Sequence, residues 1–154
     1  MFALLSLASC GSKRSIPQAD AQSEANPKLI FLNYTISKSD DGFKQVQFIN
    51  KTITDGKLKK ASSNYLNSGK IGDLKCAQLD KQSNELQVVI IQNPLSKKVE
   101  FVNDSLIFEK KQIDLENGAL SLRLQLNGKT KYIEISEIVD SLKQSKPLIK
   151  TKLN

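Results

Sequence analysis

Along residues 120–126 the side chains alternate without a break, Leu120, Leu122, Leu124 and Leu126 against Ser121, Arg123 and Gln125. A period of two sends one set to one face of an extended strand and the other set to the opposite face. A slip of one residue would turn every leucine into water, so the register is fixed along with the strand. The same period recurs from Lys28 onward, and this recurrence restricts the chain to an all-β fold. Ile30, Leu32, Tyr34 and Ile36 share one face of a strand over 29–36. Val46 and Phe48 alternate with Gln45 and Gln47 in a second strand over 43–53, reached through a turn in which Gly42 permits positive φ.

Further strands are expected over 73–79, 85–92, 97–102, 105–115, 119–126 and 130–138, separated by Gly, Pro, Asn and Asp turns. The unbroken Val88-Val89-Ile90-Ile91 reads as a central strand covered on both faces. Val99, Phe101, Leu106, Phe108, Ile113 and Leu115 read as core residues of a hairpin turned at Asn103-Asp104, and Asn127-Gly128 as the two-residue turn of another. Together these predict a seven- to eight-stranded antiparallel β-sandwich over 28–138, immunoglobulin-like or transthyretin-like, with a small β-barrel as the alternative. Beyond Ile138 the alternation stops, and 139–154, with Pro147 and several lysines, reads as a basic tail.

The least regular piece of the domain lies between Asp55 and Gly72. Loops of this length are uncommon unless they bind something or move, so Lys57, Lys59, Lys60 and Tyr65 are candidate partner-binding residues. Lys143, Lys146 and Lys150 of the tail are a second set.

The chain has 154 residues, a formal net charge of +7, two cysteines, no histidine and no tryptophan. Without histidine, Ser-His-Asp and Cys-His catalysis and histidine-ligated zinc are excluded. The glycines form no phosphate-cradling loop. Asp40-Asp41, Asp114-Glu116 and Glu134-Glu137 are the nearest carboxylate pairs, at turn or solvated positions, so no catalytic residue, metal or cofactor is expected. Arg14 and Arg123 are the only arginines, too few for the guanidinium forks and stacking platforms of nucleic-acid binding. The lysine excess suits anionic lipid headgroups or an acidic partner, an attraction that salt weakens.

Leu7-Ala8-Ser9-Cys10 resembles the lipidation and cleavage site of bacterial lipoproteins: an aliphatic residue, two small ones and the cysteine. The resemblance implies a signal peptide over 1–9 and a diacylglycerol thioether on Cys10. The residues before Cys10 carry no charge, so a basic leader upstream of Met1 is expected. Gly11 to Pro27 has the small, polar, proline-punctuated composition of a tether, with a reach of about 20–25 Å as a flexible coil. With Cys10 acylated, Cys76 has no disulfide partner, and its place in the alternation makes it a small core residue. Asp104-Ser105-Leu106 and Asp140-Ser141-Leu142 resemble a short O-glycosylation signal of some Gram-negative envelope proteins, with Ser105 and Ser141 as acceptors.

The resulting expectation is a lipid-anchored, non-catalytic accessory or adapter in a Gram-negative envelope, at the outer membrane, bound to another envelope protein. The alternative is a glycan or small-ligand binder for nutrient uptake, for which Tyr34, Tyr65 and Tyr132 are the available stacking residues.

Overall fold

The computed structural model describes residues 26–59, 65, 68–142 and 144–153. The signal, Cys10, Lys60 and Lys143 lie outside the described residues. In chain order the strands are β1 (Lys28–Lys38), β2 (Lys44–Asp55), β3 (Leu74–Leu79), β4 (Glu85–Ile91), β5 (Ser96–Val102), β6 (Phe108–Asp114), β7 (Asn117–Leu126), β8 (Tyr132–Ile138) and β9 (Ser145–Lys152). They form an antiparallel three-stranded sheet β2-β1-β7, an antiparallel four-stranded sheet β4-β3-β8-β9, and a separate hairpin β5-β6. None of the three closes on itself, so the architecture is a β-sandwich and not a barrel.

The alternation seen in the sequence builds the interior. Ile30, Leu32, Tyr34 and Ile36 of β1 and Leu120, Leu122 and Leu124 of β7 turn the same way, and each is at most 3% exposed. They meet Leu74 and Cys76 of β3 and Ile133 and Ile135 of β8 in one cluster. Each large aliphatic side chain buried this way contributes about 1.5–3 kcal/mol, so the side chains that β1, β7, β3 and β8 bury together are the main apolar contribution to the fold. Tyr34 stands edge-on to Phe48, with ring centroids 5.5 Å apart.

Gln78 is the most deeply buried polar side chain among the described residues, at 1% exposure. Its Nε2 donates to Gln87 Oε1 at 3.0 Å and to the Gln125 carbonyl at 2.7 Å. Its Oε1 accepts from Asn127 N at 3.0 Å and Thr130 Oγ1 at 2.8 Å. Every hydrogen-bonding position of the amide is occupied, which is the condition for burying it without a desolvation penalty.

Four expectations change. The segment read as a basic tail is largely β9: it pairs with β8, with Leu148 and Ile149 packed on the core and Leu153 3% exposed. Pro147 is tolerated because β9 is an edge strand and the register shifts where it meets Ser136. The Val88–Ile91 run is not a central strand; β4 is the outer strand of its sheet and Val88 is 40% exposed. Asn127-Gly128 does not close a hairpin, because β7 and β8 lie in different sheets and the turn carries the chain across the sandwich. The fourth change concerns β5 and β6.

Candidate functional site

Of the side chains expected to fill the core from this hairpin, Val99 and Leu115 are half-buried and the other four stand in solvent. Phe101, Val102, Leu106, Ile107, Phe108 and Ile113 are all exposed, Leu106 by 84% and Phe108 by 79%. Every residue of β6 is exposed. Large apolar side chains such as Leu142 and Ile71 are exposed elsewhere, but Leu106, Ile107 and Phe108 stand together in one turn, and a contiguous apolar cluster marks an interaction site.

The turn that presents the cluster is held by Asn103. Its Oδ1 accepts from Ser105 N and Ile107 N, both at 3.0 Å, and its Nδ2 donates to Glu109 Oε1 at 2.6 Å. Asn103 N donates to Ile107 O at 2.9 Å, and Asn103 O accepts from Leu106 N at 2.9 Å. Closing this loop places Leu106 at φ 60°, a left-handed conformation that favours glycine and costs other L-residues about 1–2 kcal/mol. A large apolar side chain therefore occupies a strained backbone position while gaining almost no burial, a combination that points to use rather than to stability. Ser105 is exposed in this same turn.

The hairpin is rooted at one end of the sandwich. Leu115 N donates to Leu95 O at 2.7 Å and Lys38 N to Glu116 O at 2.8 Å, which fixes the root beside the end of β1. A Cβ on Gly118 would lie 3.3 Å from Pro94 O and 3.5 Å from Ile36 Cγ2, so the root packs closely there. Lys28, where β1 begins, pairs with Asp55 and Leu126 at the other end. The chain thus enters the domain at one end and the hairpin leaves from the opposite end.

At the base of the hairpin is a cleft of about 420 Å³ whose lining includes Lys70, Asp73, Gln92, Asn93, Gln112 and Asp114. Asp73 is spoken for: its Oδ2 accepts from Lys70 N at 2.8 Å and its Oδ1 from Asn93 N at 2.9 Å, which joins the two loops flanking β3 and β4. No tyrosine lines this cleft.

The residues anticipated as partner-binding are dispersed. Lys57 and Lys59 are exposed beyond β2. Tyr65 packs against the core cluster, and its hydroxyl donates to Arg123 O at 2.7 Å and accepts from Arg123 N at 3.2 Å. It pins the crossing loop to the outer strand β7, and burial raises its pKa. Lys146 Nζ lies 4.4 Å from the centre of the Phe43 ring. Lys150 Nζ lies 4.8 Å from the Tyr132 ring centre and donates to Ser83 Oγ at 2.8 Å. Both lysines brace β9 against its surroundings, in cation–π contacts worth about 0.5–1 kcal/mol at exposed sites. Ser141 is exposed in the turn before β9.

Cys76 behaves as the alternation implies: it is 1% exposed, and burial pushes its thiol from 9.0 to about 12. It is therefore not a nucleophile at neutral pH. Among the described residues no three His, Cys, Asp or Glu side chains come together as a metal site.

The sequence contained one signal for the hairpin that was readable but ambiguous, the apolar run Leu106-Ile107-Phe108 beside an Asn-Asp turn. Alternation gives the faces of a strand and not what covers them. Comparison with known proteins adds no assignment: no family model, curated protein or solved structure matches this chain.

Proposed function

We propose that this chain is a lipid-anchored, non-catalytic envelope protein that binds another envelope protein through the tip of the β5–β6 hairpin. The observation that carries this reading is Leu106, held by the Asn103 hydrogen bonds in a left-handed backbone conformation and 84% exposed. The lipidation-like site at Cys10 supports the anchor, and the sandwich supplies the rigid base on which recognition loops are commonly carried. The apolar tip has the side chains of a small recognition patch, with Phe and Leu available to enter a pocket. Binding of glycans is less well supported, because Tyr34 is buried, Tyr65 is hydrogen-bonded to β7, and the cleft at the hairpin base lacks an aromatic wall.

The test is site-specific photo-crosslinking in native membranes, with the crosslinker placed at Leu106 in one variant and at Lys57 in another. One discrete crosslinked protein from position 106, lost in Phe108→Ser, is the expected result; equal, diffuse crosslinking from both positions overturns the binding surface. The anchor is tested separately by Cys10→Ala, which should release the protein from membranes. Retention of that variant in the membrane fraction overturns the anchor.

A further inference from the structure

The hairpin carries a second feature besides its tip. β5 pairs with β6 alone, so among the described strands its other edge is open. Isolated two-stranded sheets are marginal in water, and an open edge is a template for another strand. The residues on this edge state which strand would fit.

Backbone groups of successive strand residues point alternately inward and outward. Because Asn103 N donates inward to Ile107 O, the alternation turns Phe101, Val99 and Lys97 toward β6 and leaves the backbone groups of Glu100 and Lys98 on the open edge. An antiparallel copy of the same strand, related by a two-fold axis at Val99, sets Lys98 opposite Glu100 of the second copy, and Glu100 opposite Lys98. Both pairs fall at hydrogen-bonded positions. On the other face, Val99 meets its own equivalent, and Lys97 meets Phe101 of the second copy.

The charges select this register. Moving the copy by two residues, the smallest shift that keeps the faces matched, sets Lys98 on Lys98 in one direction and Glu100 on Glu100 in the other. The outer edge of β6 offers no equivalent, since full antiparallel overlap there puts Lys111 on Lys111. The existing Lys110–Glu100 ion pair at 2.8 Å extends the pattern, because the row across the paired hairpins then reads Lys110, Glu100, Lys98, Gln112.

We propose that two copies of this chain associate through β5, forming a continuous four-stranded sheet β6-β5-β5-β6 with Lys98 and Glu100 paired across the two-fold axis. Such an isologous contact uses one patch twice and closes on itself. It leaves the Leu106–Phe108 tips at the two ends of the shared sheet, so it does not compete with the tip for its partner and stands or falls independently of the lipid anchor.

The test uses the full chain with two charge-reversal variants, Lys98→Glu and Glu100→Lys, followed by native mass spectrometry and light scattering. Wild type is expected as a dimer. Each variant alone sets like charges opposite one another at both sites, and the dimer dissociation constant should rise by about tenfold or more. An equimolar mixture restores opposite charges at both sites, so a heterodimer should form where neither variant alone dimerises. Circular dichroism checks that both variants fold. A second measurement uses Val99→Cys on a Cys10→Ser background: mild oxidation should give a disulfide dimer, whereas Glu100→Cys should not, since only residue 99 faces its own equivalent. A monomeric wild type, a mixture no more associated than its components, or equal crosslinking at 99 and 100 overturns the proposal.

Discussion

The Tyr34 hydroxyl donates to Thr151 Oγ1 at 3.1 Å inside the core, joining the first strand to the last across 117 residues of sequence. Tyr34 is fully buried and Thr151 is 8% exposed, so the bond has little competition from water. Tyr34→Phe keeps the ring against Phe48 and strands the threonine hydroxyl, which should cost about 1–2 kcal/mol. Thr151→Val should cost a similar amount, and the double variant less than the sum of the two. Urea denaturation of all four proteins measures the coupling; strict additivity would mean the bond contributes nothing of its own.

Ending the chain after Leu142 should abolish cooperative unfolding. The cut removes Leu148, Ile149 and Leu153 from the core and leaves β8 as an unpaired edge. It also removes Leu153 O, the acceptor of Lys51 Nζ on β2. A thermal melt followed by circular dichroism should lose its transition, whereas a dispensable tail would leave the midpoint unchanged.

Gln78→Ala should destabilise by about 2–4 kcal/mol, because Asn127 N, Thr130 Oγ1 and the Gln125 carbonyl lose a partner together. Thr130→Val removes one of these bonds and should cost about a third as much. Chemical denaturation separates the two, and equal losses would show that the network does not act through Gln78.

Stability should decline on the alkaline side. Burial raises Cys76 from 9.0 to about 12 and Tyr34 from 10.0 to about 12, so each stays protonated in the folded protein where the unfolded chain has begun to ionise. Their contribution is complete below about pH 9 and is lost as the pH rises toward about 12. Melting temperatures from about pH 8 to about pH 11 should fall, and Cys76→Ala should flatten the earlier part of the slope. A wild-type profile that does not move would contradict this. In the folded state Cys76 should also resist thiol reagents at neutral pH.

The strands that face the core on one side were legible from sequence because alternation reports one-sided burial directly: β1, β7 and β8 have the faces their residues imply. Cys76 was legible for the same reason. β9 was hidden by its composition. Its register shift at Pro147 breaks the period of two, and its exposed lysines resemble a solvated tail. The turn at Asn127-Gly128 was misleading because local preference names a tight turn and not the sheet its second strand joins; β8 pairs with β3, which is distant in sequence, and Gln78 of β3 accepts from Asn127 N. The candidate site was the least legible part. Phe101 and Phe108 are as hydrophobic as Phe48, and only the topology shows that no described sheet covers them.

The two ends of β1 give this domain a built-in ruler. Eleven residues at about 3.3 Å each separate the point of chain entry from the root of the hairpin by about 36 Å. If the entry side faces a bilayer, the root of the hairpin stands that much farther from it than the point of chain entry does. Shortening the segment before Lys28 would then tilt or lower the whole domain, while the distance from entry point to arm would stay constant, because paired strands on both flanks of β1 keep it from stretching.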